Sequence, residues 1–328
     1  MAKSGGSRLK KFLVGFLLLV VLAVLSLSAL LAQPVLTGSR TGPEVKAQAA
    51  HLQAMVLAIA KPRDIDDTAA LDATAMYIGD QLRAMGHQPE EQTYVVKKKT
   101  YRNIRLILGD KAAPRLVVGA HYDSCKPLPG ADDNASGVAV VLELAQLLKD
   151  HPAPGAVELV FWTLEEPPMF RKPEMGSVVH AKSLTADKVK VTGALSIETV
   201  GYYSDEPDSQ AFPVPGLTTL YSTKGNYVAL VSSLDNIGLV RTLKKAMRST
   251  DQIAVYSMTA PASIPGVDWS DHRSYWPEGI PALMVTDTAP NRNPNYHRAS
   301  DTADTLDYQR MAALTNALFE GIWVLTTP

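Results

Sequence analysis

Apolar positions along this chain follow two different periods. Residues 12–32 form a 21-residue run without a charge. From Pro43 the pattern turns helical, with Val45, Ala49, Leu52, Met55, Val56 and Ile59 recurring at spacings of three or four. A second helical stretch covers about residues 67–85, with Leu71, Met76, Ile78 and Leu82 on its apolar side, and stops at Gly86. Short β-type runs follow at 93–96, 104–108 and 116–118. A glycine-rich segment then opens a helix over about 135–148. Further short apolar strands are predicted at 157–162, 194–197, 228–231 and 282–285, and a closing helix at about 307–325. The stretches 167–173 and 206–215 are proline-rich and read as loops. Apolar strands alternating with amphipathic helices predict an α/β fold: a mostly parallel twisted central sheet with helices on both faces.

The first run is long enough to cross a bilayer as a helix, which takes about 20 apolar residues. Lys3, Arg8, Lys10 and Lys11 precede it with no acid, which favours a cytoplasmic N-terminus and an extracytoplasmic bulk, periplasmic or extracellular. The chain is therefore divided into a basic tail and anchor or signal segment (1–32), a short linker (33–42) and one catalytic-size domain (43–328). Contact with the membrane is expected through residues 12–32. A small-x-small pattern at Ser26 and Ser28 keeps open a cleaved signal peptide and a secreted product.

Composition narrows the partners. The 328 residues carry a formal net charge of -1, and about -5 once residues 1–32 are set aside. Neither value supports a nucleic-acid partner. Cys125 is the only cysteine, so no disulfide can form within the chain. It is read as a small buried thiol.

In open α/β sheets ligands gather beyond the carboxyl ends of the strands. Here each apolar strand runs into polar residues: 116–120 into His121-Tyr122-Asp123, 157–164 into Glu165-Glu166, 194–197 into Glu198, and 282–286 into Asp287, followed by Tyr296-His297. Carboxylates and imidazoles converging on one cleft suit zinc, which takes His nitrogen and Asp or Glu oxygen. Without a cation such a crowd of carboxylates would repel itself.

The segments AHYDS (120–124), PGADDNASG (129–137), the Glu165-Glu166 pair, Glu198 and YHRASDT (296–302) together resemble the bacterial co-catalytic, two-zinc aminopeptidases. That family also holds glutaminyl cyclases and glutamate carboxypeptidase-like ectodomains. The resemblance covers roughly residue 67 to the C-terminus. It implies a zinc exopeptidase fold, peptide substrates and two zinc ions per chain. By the same resemblance His121 would bind one ion and His297 the other, Asp133 would bridge them, and Glu166 and Glu198 would complete the shells. Glu165 would be the general base, Asp123 would fix the His121 imidazole, and Tyr296 would polarise the scissile carbonyl.

Two features depart from the family's pattern. Glu198 stands where most such aminopeptidases have Asp, and residues 167–175 intervene after the Glu pair; they are read as a loop beside the cleft. His272, in Ser270-Asp271-His272, is a candidate substrate contact or a structural residue, and Asp287 and Asp301 are similarly open. The expected activity is release of N-terminal residues from peptides. A carboxypeptidase drawing on Arg171, Lys172, Arg273 or Arg292, a glutaminyl-cyclase-like enzyme and a non-catalytic binding ectodomain are the alternatives.

Overall fold

A computed structural model describes the backbone of residues 5–328 and the side chains from residue 11 onward. Lys3, Arg8 and Lys10 of the basic tail lie outside the described side chains. In chain order the helices and strands are α1 (Gly5–Ala32), α2 (Ala49–Ile59), α3 (Thr68–Ala84), β1 (Glu90–Val96), β2 (Lys99–Leu108), β3 (Arg115–His121), α4 (Gly137–Asp150), β4 (Ala156–Trp162), α5 (Gly176–Ala186), β5 (Val191–Glu198), β6 (Tyr227–Ser232), α6 (Ile237–Arg248), β7 (Ala254–Thr259), β8 (Ala282–Thr286) and α7 (Tyr308–Thr326).

One eight-stranded sheet runs in the order β1-β2-β4-β3-β5-β8-β6-β7. Its centre, β4-β3-β5-β8, is parallel. Antiparallel pairs add β1 and β2 at one side and β6 at the other, and β7 lies parallel to β6. The central strands β3, β4 and β8 are buried along their whole length and β5 beyond its first two residues, which is why they read as continuous apolar runs rather than alternating ones. On one face Leu116, Val118, Leu159, Phe161, Leu195 and Ile197 pack with the apolar sides of α2, α4, α6 and α7. On the other, Val117, Val160, Trp162 and Ala194 meet α5 through Ala181 and Leu184. Each large side chain so buried contributes about 1.5–3 kcal/mol. The α/β architecture with helices on both faces is as expected.

Differences lie at the margins of the sheet. Residues 43–48 form no helix, and the helix starts only at Ala49. Their backbone donors, and those just before, are taken by buried side chains: Thr41 and Gly42 donate to Glu320 (2.8 and 2.9 Å), Ala47 to Asn316 (2.7 Å) and Gln48 to Glu143 (2.7 Å). With those groups satisfied across α7 and α4, the segment gains nothing from a helical turn. The helix α5, the helix α6 and the strand β7 were not anticipated. β7 is an edge strand whose buried and half-buried positions alternate, and α6 carries four basic residues around its apolar stripe.

A polar cluster crosses the α5 face. Glu158, wholly buried in β4, takes Arg105 at 2.6 Å, Arg115 at 3.2 Å and His180 at 3.1 Å. Burial works to raise the Glu158 pKa, but the His180 hydrogen bond and Arg105 outweigh it and hold it at about 2, down from 4.5. Because the folded value is depressed, this contribution to stability is present above about pH 4.5 and is lost as pH falls through 2. Glu158→Gln should cost about 3–5 kcal/mol at pH 7, since it leaves two guanidinium groups facing a neutral amide. Urea unfolding should show this cost, and the mutant should lose less stability than the wild type between pH 4.5 and 2.

Candidate metal centre

The carboxyl ends of β3, β4, β5 and β8 deliver the polar residues to one place. His121 ends β3 opposite Trp162 of β4, and Glu198 ends β5 opposite Thr286 of β8. Several residues at the turns off these strands hold a left-handed backbone although none is glycine: Leu164 (φ 60°), Thr199 (φ 44°), Thr288 (φ 81°) and His297 (φ 53°). Each such residue costs about 1–3 kcal/mol, a strain tolerated at sites the surroundings over-determine. Gly130 meets a related demand with φ 56°, where a Cβ would fall 2.2 Å from the Asp133 carbonyl oxygen.

Asp133 lies between the two imidazoles. Its Oδ1 is 3.3 Å from His121 Nε2 and its Oδ2 is 2.9 Å from His297 Nε2. Glu198 Oε2 lies 3.3 Å from His121 Nε2, and Glu166 Oε2 3.5 Å from His297 Nε2. Both Nε2 atoms and Glu166 Oε1 are buried without an aligned hydrogen-bond partner. Two groups of donor atoms lie within 4.8 Å of one another, His121 with Asp133 and Glu198, and Cys125 with Glu166 and His297. Nitrogen and carboxylate donors with orphaned lone pairs suit a divalent cation in each group.

Neighbouring side chains hold these donors. Asp123 accepts from the backbone amides of Glu165 (3.2 Å) and Glu166 (3.0 Å), and its Oδ1 lies 3.5 Å from His121 Nδ1. Asp301 accepts from the amides of Asp132 (2.8 Å) and Asp133 (3.2 Å). Asp132 takes the Gly201 amide and the Asn293 side chain. Asp287 takes the Tyr202 and Ala289 amides. Ser270 donates to Glu198 Oε2 at 2.7 Å. The Tyr296 ring stacks on His297 with centroids 3.9 Å apart.

Burial and like charge set the protonation. Burial, then Asp133, lifts Glu166 to about 7. Burial raises Glu165 well above the usual carboxylate range, with Glu198 and Asp271 adding to it against His121. Burial opposes a charge on His297, but contact with Asp133 and Glu166 overrides it and moves the group up to about 11. His121 is raised in the same way by Glu198, Asp123 and Asp133. Asp133, though buried, is held below its usual value by the two imidazoles.

All eight residues named from the sequence meet in this cluster. The Ser270-Asp271-His272 segment reaches it too, but through Ser270 and Asp271. His272 donates from Nε2 to the Val267 carbonyl and packs edge-on against Trp276. Asp271 is buried with neither oxygen hydrogen-bonded and is lifted to about 7 by burial and by Glu198 and Asp123, against His121. Asp301 and Asp287 serve backbone amides. One residue escaped the sequence reading. Arg63 is buried beneath the cluster and donates to the Tyr122 (2.6 Å) and Gly130 (2.8 Å) carbonyls. No motif surrounds it. Cys125 is half-exposed beside Glu166 and His297 rather than a buried inert thiol. Residues 167–175 are anchored by the buried Met169 and Met175, and Arg171 Nη2 donates to both Asp268 oxygens at 2.7 and 2.9 Å.

Beside Glu198 and Tyr296 opens an apolar pocket, walled by Phe212, Tyr221, Tyr256, Met258, Trp269 and Met284.

Residues 103–322 match the profile of Peptidase family M28. The uncharacterized protein YfbL of Escherichia coli is 42% identical over 265 residues, 78% of this chain and 81% of that one. A probable leucine aminopeptidase 1 of Trichophyton verrucosum is 27% identical over 73% of this chain, which spans 63% of that longer protein. The Legionella pneumophila LapA aminopeptidase has the same fold, with a TM-score of 0.68 at 18% identity over 86% of this chain and 73% of that one.

With His121 and His297 both raised well above neutrality, metal entry must displace protons. At pH 7, adding zinc to the metal-free protein should release at least about two protons, and zinc affinity should rise with pH across the neutral range. Calorimetry in buffers of different ionisation enthalpy counts those protons.

Proposed function

Since the chain belongs to peptidase family M28 and is a metallo-exopeptidase hydrolase, we propose that it is a two-zinc aminopeptidase that removes apolar N-terminal residues from peptides. The observation that carries this reading is the pair of donor groups sharing Asp133, with Glu165 beside them and a single apolar pocket adjoining.

His121, Glu198 and Asp133 would hold one ion, and His297, Glu166 and Asp133 the other. Bound zinc supplies Lewis acidity and lowers the pKa of a coordinated water to about 7. Glu165 takes a proton from the attacking water and hands it to the leaving amine. Asp123 fixes the Glu165 and Glu166 backbone, so the base keeps its place during proton transfer. Tyr296 faces the pocket next to Glu198, where its hydroxyl can donate to the scissile carbonyl oxygen. The first side chain of the substrate occupies the pocket walled by Phe212, Tyr256, Met258 and Trp269.

Three of the four cationic candidates for holding a substrate carboxylate are already engaged and the fourth, Lys172, is exposed, which argues against a carboxypeptidase. Arg171 and Arg273 share Asp268. Arg292 is buried against Gln210 and the Tyr227 carbonyl.

The N-terminal apolar helix fits a signal anchor or a signal peptide. Its last turn favours an uncleaved anchor with the domain outside the cytoplasm. Thr259 and Ser257 of β7 donate to the Leu30 and Ala32 carbonyls, at 2.7 and 3.0 Å. The buried Lys244 ammonium donates to the Ala32 and Gln33 carbonyls at 2.6 and 3.2 Å. The protein should fractionate with membranes, and mass spectrometry of the mature chain should recover residues 12–32.

Glu165→Gln should keep both metals and lose about 10²–10⁴-fold in turnover. A panel of aminoacyl amides should show Leu, Met and Phe favoured over Asp and Lys by at least about 10-fold. A metal-loaded mutant with near-normal turnover would sink the role of Glu165, and products lacking a freed N-terminal residue would sink the aminopeptidase reading.

A further inference from the structure

Cys125 is the only thiol in the chain and has no place in the chemistry just described. Its Sγ nevertheless lies within 4.8 Å of ligand atoms on both Glu166 and His297. Four donors at about 2.0–2.3 Å around one zinc are about 3.3–3.7 Å apart. The three atoms therefore need to close by little more than an ångström to share an ion. A second observation points to the same spot. Glu166 is only 5% exposed, yet its Oε1 has no hydrogen-bond partner, and His297 Nε2 lacks an aligned one.

The turn that carries Cys125 is pinned on both sides. Ser124 donates from its amide to the Arg63 carbonyl at 3.2 Å and from its hydroxyl to the Leu128 carbonyl at 2.9 Å. The Leu128 amide donates to the Cys125 carbonyl at 2.7 Å. Arg63 in turn is bonded to Tyr122 and Gly130 on either side of the turn. The thiol is held at the metal centre by the same buried guanidinium that supports Asp133.

We propose that Cys125 is a thiolate ligand of the ion held by Glu166, His297 and Asp133, which makes the two metal positions chemically unequal. This rests on the metal-centre reading above. When the metal enters, the sulfur–metal bond forms as the S–H bond breaks, and the proton leaves to solvent; no electrons are exchanged. A sulfur donor favours zinc over manganese or magnesium, so the Cys125 position selects zinc. The position built from His121 and Glu198 has nitrogen and oxygen donors only. It is the less selective of the two.

The test uses the full chain in detergent, stripped of metal and titrated with Co²⁺ and separately with Zn²⁺. Two bound Co²⁺ should bring a thiolate-to-cobalt charge-transfer band in the near ultraviolet, absent from Cys125→Ala. Because there is one thiol, alkylation by iodoacetamide reports on Cys125 alone, and zinc should slow it by at least about 10-fold. Cys125→Ala should weaken the tighter zinc by about 10-fold or more while still binding two ions at saturation. Two bound Co²⁺ with no such band, and alkylation indifferent to zinc, overturn the ligation by Cys125 and leave the aminopeptidase reading standing. Failure to bind any metal overturns both. Cys125→Ser, of nearly equal volume, separates loss of the ligand from loss of packing: if it keeps full zinc affinity, the thiol is not a ligand.

Discussion

Crowded negative charge in a dry interior is the constraint on which this structure turns. Asp123, Asp132, Asp133, Glu165, Glu166, Glu198, Asp271, Asp287 and Asp301 are all buried around one cleft. Carboxylates packed this closely cannot all ionise unless positive charge lies among them. Among the described residues, Arg63 and the two imidazoles supply part of it, and backbone amides aimed at Asp123, Asp287 and Asp301 supply more. In the proposed reading, divalent cations on either side of Asp133 would complete the balance. The donor geometry and the burial of each carboxylate thus express one requirement.

The sheet makes this crowding possible. Parallel strands end at the same level, so β3, β4, β5 and β8 bring their terminal residues to one line without long loops. Their flanks are apolar and rigid on both faces, which lets the turns at Leu164, Thr199 and Thr288 be held in unfavourable backbone conformations. The antiparallel reversal at β6 opens the other half of the cleft. There the sheet carries aromatic and methionine side chains instead of acids, so an acid-rich half and an apolar half lie side by side.

Much of this was legible in the chain. Fully buried parallel strands write themselves as unbroken apolar runs, and the acid or imidazole ending each run marked the site. What escaped notice has physical reasons. β7 has one strand neighbour and a mixed environment, so its residues alternate too weakly to declare a strand. Residues 43–48 have a helical spacing of apolar side chains, yet Glu143, Asn316 and Glu320, nearly a hundred or more residues away, capture the backbone of this region. Arg63 has no signature because its work is to bond carbonyl oxygens, which any sequence provides. In Ser270-Asp271-His272 the imidazole drew attention, whereas the hydroxyl and the carboxylate reach the site and the ring turns away.

The end of the N-terminal helix has a consequence for solubility. β7 is the last strand of the sheet, and an uncovered last strand offers unpaired amides and carbonyls to any other extended chain. Here the final turn of α1 lies along that strand, tied to Ser257 and Thr259, with Leu31 packed into the apolar cluster beside it. The segment proposed to hold the protein at a membrane thereby shields the sheet's open border as well. A trimmed form lacking residues 30–33 would carry a sticky margin into solution, so tethering and resistance to self-association are properties of the same few residues.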